Sequence, residues 1–285
     1  MPTFSPLLII CIFFAMFICS CRPQEDIPQS LENITEYISI DGFNIPRLLS
    51  SAEQLSFATA SAASPNHQRA LLKSVVQLFP EDRVEVGHAE LEMAYLDLGT
   101  DYRNSLPEQR MNAASSYQKI ALKYSSLPEI AAKALWYYGW ISADLLQMKS
   151  IGQSSFRTIV DLYAEQPIAW SSFTPWTSIN LAQEYDKPLQ SQLQTSITWG
   201  ELALLELIRH APKPENGLTY YYSLVSYLPE NTIITAALTL LAKRTDLTSN
   251  TVSAIKTEID SASFTQKQQK ELKELLLTTK QEGRQ

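Results

Sequence analysis

The chain has 285 residues, a formal net charge of −7 and a sequence pI near 5.1. This acidic balance, without any run of lysine or arginine, lacks the electrostatic signature of a nucleic-acid-binding protein. The eight glycines do not pair at the spacing of a phosphate-binding loop, so nucleotide binding has no support either. We therefore expect no nucleic-acid partner and no cofactor.

The first 21 residues hold every cysteine of the chain: Cys11, Cys19 and Cys21. An uninterrupted apolar run, Leu7 to Ile18, ends shortly before Cys21, and a polar stretch follows. This layout is typical of an export signal, so we predict a signal peptide over residues 1–20 with cleavage after Ser20. The mature chain would then carry a single thiol, which excludes a disulfide framework and a cysteine-based metal site.

Ile18-Cys19-Ser20-Cys21 resembles the lipobox of bacterial lipoproteins, with an aliphatic residue three positions before the cysteine and a small one just before it. The resemblance implies that Cys21 is the lipid-attachment site and that its acyl chains hold the protein on a membrane. Cys19 and the absence of Lys or Arg from Met1–Pro6 depart from the family pattern. Two alternatives remain open, an uncleaved membrane helix over Phe4–Ser20 and plain secretion.

Beyond the signal peptide the chain divides in two. Residues 21–48 are polar and interrupted by proline, and we interpret them as a lipid-anchored tether. Residues 49–285 form segments of about 12–20 residues with apolar side chains at helical spacing, separated by short Pro, Asn or Asp breaks. Because strand-like alternation is almost absent, the sequence predicts an all-α domain.

Four hydroxyl residues are followed three positions later by Glu or Gln, which is the pattern of a capping box. They predict helix starts near residues 106, 127, 151 and 265. The pairs are Ser105 with Glu108, Ser126 with Glu129, Ser150 with Gln153, and Thr265 with Gln268. Further helices are expected at about 188–209, 218–227, 230–243, 250–261 and 265–281. The last has an apolar side at Phe264, Leu272, Leu275 and Leu276, and we interpret it as the helix that closes the stack rather than as a membrane-binding helix.

Those boundaries lie inside a longer self-similarity. Ala113, Tyr117, Ile120, Tyr124 and Pro128 recur 39 residues later as Gly152, Phe156, Ile159, Tyr163 and Pro167. The preceding helices match at a displacement of 40, with Tyr95, Leu98-Gly99 and Tyr102 against Leu135, Tyr138-Gly139 and Ser142.

This pattern resembles the tetratricopeptide repeat, over residues 89–128 and 130–167. The resemblance implies a TPR-like helical-repeat solenoid of antiparallel helix pairs, in which Gly99 and Gly139 let helices approach closely. The period of 39–40, rather than 34, and Ser142 in place of Tyr depart from the family.

Catalytic motifs are absent from the sequence. His67, His88 and His210 belong to no helical metal motif, so we predict no metal site. No Gly-x-Ser-x-Gly elbow exists and no thiol nucleophile follows Cys21. The carboxylate pairs Glu90/Glu92 and Glu201/Glu206 are interpreted as solvated charges on helix faces, and we expect no enzyme activity.

A stripe of aromatic residues is the better candidate site. Lys133, Trp136 and Trp140 fall at i, i+3 and i+7 on one helix, and in the tetratricopeptide family that stripe lines the concave surface where peptides bind. Met93 and Leu96 of the preceding repeat would lie beside them. The alternative is that both tryptophans pack against neighbouring helices, as tryptophan usually does.

Together these features predict a membrane-anchored lipoprotein that acts as a protein–protein interaction scaffold in the bacterial cell envelope. Its layout resembles, loosely, the tetratricopeptide lipoproteins of outer-membrane assembly machines. Arg22 after the acceptor cysteine favours the outer membrane, facing the periplasm, over the inner membrane. The expected partners are an envelope protein or peptide segment and, through Cys21, the membrane. The alternative is a glycan- or solute-binding lipoprotein that uses tryptophans as stacking platforms.

Overall fold

The computed structural model describes residues 36–61, 64–99, 102–168, 197–227, 229 and 231–282. In these ranges the chain forms one β-hairpin and eleven α-helices. The hairpin strands are β1 (Tyr37–Ile40) and β2 (Phe43–Pro46). The helices are α1 (Ser51–Ala60), α2 (Pro65–Leu78), α3 (Arg83–Leu98), α4 (Pro107–Lys123), α5 (Pro128–Trp140), α6 (Lys149–Tyr163), α7 (Trp199–Arg209), α8 (Pro214–Ser226), α9 (Asn231–Ala242), α10 (Ser249–Ser261) and α11 (Gln266–Glu282). The predicted signal peptide and Cys21 lie outside the described residues.

The hairpin is the main departure from the predicted all-helical chain. β1 and β2 pair antiparallel with Ile40 opposite Phe43, and Asp41 and Gly42 between them have φ angles of 50° and 83°. Asp-Gly is favoured in such two-residue turns because both positions need positive φ. Ile40, Ile45 and the following Leu48 are buried. Ordered structure therefore begins by residue 37, inside the range expected to be the tether, and the boundary at residue 48 stays a prediction.

The helices pack in sequence order. Each of α1 to α10 contacts the helix that follows it, and α9 also contacts α11. A small core joins the hairpin to α1, α2 and α3, and a larger one continues from α3 to α11. This mostly helical, serial packing confirms the predicted fold class at that level.

The helices begin near the positions that the capping pattern predicts, although the hydrogen bonds at their starts are not always those of the predicted capping box. α4, α5, α6 and α11 begin within two residues of the expected positions. At α11 the predicted box is present, since the backbone N–H of Gln268 donates to Thr265 Oγ1 (3.3 Å) and the N–H of Thr265 donates to Gln268 Oε1 (3.0 Å). At α4 the helix starts one residue later than that pattern places it, with proline at its first position and the N–H of Leu106 donating to Gln109 (2.8 Å).

Small residues set the crossing of α5 and α6. A Cβ added at Gly139 would lie 2.8 Å from the Phe156 ring, and one at Gly152 would lie 2.7 Å from the Gly139 carbonyl oxygen. Gly139 therefore has the close-approach role that the resemblance implies. Gly99 does not, because it follows the end of α3 with a φ of 90° and its Cβ would meet nothing closer than 3.6 Å.

A π-helical turn after α5 and backbone hydrogen bonds between the segments after α6 and before α7 shape the middle of the molecule. α5 continues directly into a π-helical turn, Ile141–Leu145. After α6 the chain is clamped to the start of α7, since the N–H of Ile168 donates to the Ile197 carbonyl (3.1 Å) and the N–H of Trp199 donates to the Gln166 carbonyl (2.9 Å). Residues 169–196, with Trp170 and Trp176 and part of the helix expected at 188–209, lie outside the described residues. No helix in the described part of the chain is long and apolar enough to cross a membrane.

Candidate functional site

The predicted aromatic stripe faces the interior. Lys133, Trp136 and Trp140 on α5 expose only 1%, 2% and 3% of their surface. The two indole rings lie nearly parallel with their centroids 6.5 Å apart, and Trp140 packs edge-on against Tyr102 at 5.4 Å. These side chains therefore do not form an open concave surface, as packing against neighbouring helices buries them. The partner-binding role predicted for them stays a prediction.

Met93 and Leu96 do not complete such a surface. Both are partly buried and pack against the small core beneath the hairpin, whereas the two tryptophans belong to the larger core. The helix faces divide in this way because α3 has α1 and α2 on one side and α4 and α5 on the other. Of the five predicted binding residues, Lys133, Trp136 and Trp140 lie on one face of α5, and all three are buried.

The burial of Lys133 has an electrostatic consequence. Desolvation lowers the pKa of Lys133, and the nearby negative charges of Glu92 and Glu129 oppose that shift. Desolvation likewise raises the pKa of Glu92, against the opposing effect of Lys133. Glu92 is thus partly buried beside Lys133 rather than the fully solvated helix-face charge that the sequence suggested. The indole nitrogen of Trp136, in the same helix, makes no hydrogen bond with the described residues.

An open groove of about 480 Å³ lies on the opposite side of α5. We call it the α4–α6 groove, because α4 and α6 form its walls and α5 contributes its floor. The residues lining it are Gln118, Ala121, Leu122, Ser125, Leu135, Tyr138, Ser150, Ile151, Ser154, Ser155, Thr158, Leu162 and Tyr163.

The groove combines exposed aliphatic side chains with hydroxyl groups. Leu122 and Leu162 are 73% and 66% exposed, and Ile151 is 38% exposed. None of the described residues that line it is charged, although 19% of the chain is. An uncharged exposed apolar patch of this kind marks a surface for recognition more often than a solvated one. The same composition means that these residues offer no set of metal ligands.

Internal hydrogen bonds fix the walls of the groove. Tyr163 Oη donates to the Ser125 carbonyl (3.1 Å), which ties the end of α6 to the end of α4. Ser155 Oγ donates to the Leu135 carbonyl (2.7 Å), which ties α6 to the floor. Burial raises the pKa of Tyr163, so its hydroxyl remains a donor throughout the physiological range. The groove is therefore preformed in shape.

Sequence reasoning missed the groove for an identifiable reason. Leu135 and Tyr138 were assigned to packing positions by the repeat resemblance, but they are half-buried and form the floor. A signal was available, because Leu122 and Leu162 each stand shortly before the closing tyrosine of their helix and outside its buried stripe. One exposed leucine is unremarkable, whereas two near the ends of corresponding helices, 40 residues apart and one position out of register with the repeat of 39, point to one surface.

Comparison with known proteins adds no relative: no family model, curated protein or solved structure matches the chain. No family is shown by these comparisons.

Proposed function

We propose that this protein is a membrane-anchored lipoprotein that acts as a protein–protein interaction scaffold in the bacterial cell envelope, and that the α4–α6 groove is its partner-binding surface. The observation that carries the proposal is the pair of exposed leucines, Leu122 and Leu162, in an uncharged and preformed groove. A preformed apolar surface binds a peptide or helix with little loss of its own conformational entropy.

The same proposal includes a TPR-like organisation, with α3–α4 and α5–α6 as two helix pairs of the repeat. In support, the repeated positions are core residues in both units: Tyr117 and Ile120 are buried in the first, and Phe156 and Ile159 in the second. Gly139 against Phe156 provides the close helix contact of the family. The units differ at their ends, since Pro128 begins α5 whereas Pro167 forms an isolated bridge with Thr198.

The anchoring part of the proposal places acyl chains on Cys21 and the folded domain in the periplasm, held at the outer membrane, with a role in outer-membrane assembly as the broader setting. Its support is the lipobox-like sequence at residues 18–21. An anchor of two or three acyl chains raises the local concentration of the groove near membrane-bound partners, which strengthens weak contacts without any new interaction.

The test compares groove variants of the full-length chain in affinity capture from solubilised envelopes. Leu122→Asp and Leu162→Asp each place a charge in the groove at an exposed position, so they leave the core intact. Leu106→Asp is the matched control, because Leu106 is 63% exposed, lies outside the groove lining and precedes α4 at a position where Asp favours the helix. We expect loss of the captured partner, by about tenfold or more, in both groove variants and not in the control.

Equal capture by all three variants would contradict the groove assignment. Absence of any specific partner of the wild-type chain would contradict the scaffold itself. Circular dichroism of each variant checks that the helices remain folded.

Glycan binding is the alternative function, and in the groove it would use tyrosines instead of the tryptophans that the sequence suggested. Trp136, Trp140 and Trp199 are buried and offer no stacking platform, but the rings of Tyr138 and Tyr163 are half-buried at the groove beside several serines. Saccharide binding by the full chain, without a protein partner and lost on Tyr138→Ala, would favour this function over the scaffold.

A further inference from the structure

A second cluster of functional side chains lies away from the groove, where the π-helical turn meets α7. Asp144 comes from the turn, and Glu206, Arg209 and His210 come from the end of α7. Glu206 is 1% exposed, and the side chains of His210 and Asp144 are 8% and 22% exposed. Glu206 is thus not the solvated charge that the sequence suggested.

The local backbone explains why these groups meet. Glu206 and His210 are one helical turn apart, so they project from the same side of α7. Asp144 reaches them because α5 ends in a π turn, a local widening of the helix that is frequently found at functional sites. His210 is further held by ring stacking on Phe156, with centroids 6.3 Å apart, and Gln153 Nε2 donates to its carbonyl oxygen.

The distances from the His210 ring to the two carboxylates are longer than those of ordinary hydrogen bonds and match the separation of two ligand atoms on one metal ion. His210 Nε2 lies 3.5 Å from Asp144 Oδ1 and 3.6 Å from Glu206 Oε2, and it makes no hydrogen bond with the described residues. All three ligand atoms can lie within 4.8 Å of one another. Zinc binds His nitrogen and carboxylate oxygen at about 2.0–2.2 Å, and tetrahedral angles then separate two ligand atoms by roughly 3.3–3.6 Å.

Arg209 neutralises part of the negative charge and fixes both carboxylates. Its guanidinium donates to Asp144 Oδ1 (3.0 Å) and Oδ2 (2.6 Å), and its Nε donates to Glu206 Oε2 (2.9 Å). A carboxylate oxygen has two lone pairs, so Asp144 Oδ1, which accepts one hydrogen bond from Arg209, can still bind a cation. Glu206 Oε2 accepts from both Nε and a second nitrogen of Arg209, so a cation bound at that oxygen would replace one of those two bonds. Hydrogen bonds of this kind orient metal-binding carboxylates, while the positive charge of Arg209 reduces the affinity below that of a fully anionic site.

We propose that Asp144, Glu206 and His210 form a three-ligand site for a divalent transition metal, with Zn²⁺ the preferred ion. The donor set of one imidazole and two carboxylates suits zinc, and three protein ligands leave one position for water. Such a site would join the end of α5 to the end of α7. The proposal is independent of the groove and of the scaffold function.

The test is metal titration of the full chain in which Cys11, Cys19 and Cys21 are replaced by Ser, because thiols near the amino terminus would otherwise compete for the metal. The protein is purified without a histidine tag and freed of metal with a chelator. Co²⁺ serves as the spectroscopic probe, since tetrahedral coordination gives strong visible absorption, and Zn²⁺ affinity is measured by calorimetry.

We expect one equivalent of metal per chain with a Kd below about 10 μM. His210→Gln and Asp144→Asn should each weaken binding by at least about tenfold and abolish the tetrahedral Co²⁺ spectrum. The controls are His67→Gln and His88→Gln, which remove the other two histidines and should bind as the parent does.

The proposal is overturned if His210→Gln binds Co²⁺ or Zn²⁺ as tightly as the parent does. It is also overturned if the parent binds neither metal. In either case the cluster is an ion-pair network centred on Arg209. Asp144→Asn keeps the size of the side chain, so it tests the site even if His210→Gln fails to fold.

Discussion

Lys133 of α5 places its ammonium group in the interior of the protein, although it lies on the helix face that the sequence assigned to partner binding. Burying a charge is costly unless an opposite charge accompanies it, and Glu92 is the partner that acts against the desolvation of Lys133. The pair gives the core a polar element whose stability depends on pH.

For Lys133 the sign of that dependence follows from proton linkage. Burial lowers its pKa in the folded chain below the ordinary value of 10.5. Between the folded-state pKa and 10.5 the unfolded chain holds the proton more tightly, so the free energy of unfolding rises with pH over that interval. Lys133→Met removes this contribution. We therefore expect the stability of the wild type, relative to that of the variant, to increase as pH is raised toward 10.5.

Denaturant unfolding of both proteins at several pH values measures that difference. Lys149→Met, which removes an exposed lysine, is the control for general effects of charge. If the free energy of unfolding of the wild type minus that of Lys133→Met stayed constant or fell as pH rises, Lys133 would not be a buried ammonium.

Gly152 is the residue on which the crossing of α5 and α6 depends most directly. An added methyl group would meet the Gly139 carbonyl oxygen and Ala143 Cβ, both at 2.7 Å, and neither is a flexible side-chain end. We expect Gly152→Ala to destabilise the fold by about 1–3 kcal/mol, because overpacking forces the helices apart. Ser154→Ala, at an exposed position of the same helix, should change stability by less than about 0.5 kcal/mol. Thermal and denaturant unfolding of the two variants distinguish these outcomes.

At the level of elements, one buried side chain attaches the hairpin to the helices. Gln54 of α1 is fully buried, and its amide donates to the Pro46 carbonyl (3.1 Å) and to Ser74 Oγ (2.8 Å). Its carbonyl oxygen accepts from the N–H of Leu48 (2.9 Å). One amide group therefore satisfies polar atoms of β2, of the connection to α1 and of α2, where water does not reach.

Gln54→Leu should lower the free energy of unfolding by at least about 2 kcal/mol, because it leaves buried polar groups without partners. Hydrogen exchange should show loss of protection first in the hairpin, residues 37–46, and in α1. Thr59→Ala on the same helix is the control, since the Thr59 hydroxyl is exposed and bonds only to carbonyls of its own helix. Equal protection of the hairpin in both variants would argue against the role of Gln54.

For the whole molecule, the early start of the fold shortens the connection to the proposed anchor. From Cys21 to Tyr37 the chain advances 16 residues, which span at most about 55 Å when fully extended. The folded domain of a lipidated chain would therefore stay close to the bilayer surface, and partners that fit the groove would be those reachable at that height.

Cys21→Ser tests the anchor. We expect the variant to move from the membrane fraction to the soluble fraction, because it loses the thiol that would take the acyl chains. Cys19→Ser is the matched control, two residues away, and should remain with the membrane. Retention of Cys21→Ser in the membrane fraction would favour the uncleaved amino-terminal helix instead.

The sequence by itself determined the local features of this protein. The capping pattern located the starts of α4, α5, α6 and α11, and α8 to α11 lie within four residues of their expected ranges, since these depend on neighbouring residues along the chain. The helix expected at 188–209 begins only at Trp199, where Thr198 caps α7. The hairpin was also within reach of sequence reasoning, because Asp41-Gly42 stands between alternating isoleucines.

Only the tertiary structure decided which face of a helix is inside. α5 has an apolar face at Trp136 and Trp140 and another at Leu135 and Tyr138, and periodicity alone cannot rank them. Packing against neighbouring helices buried the first, whereas α4 and α6 stand apart over the second and leave the α4–α6 groove. The meeting of Asp144 with Glu206 and His210 is of the same kind, because it depends on how the end of α5 approaches α7 and not on any spacing along the chain.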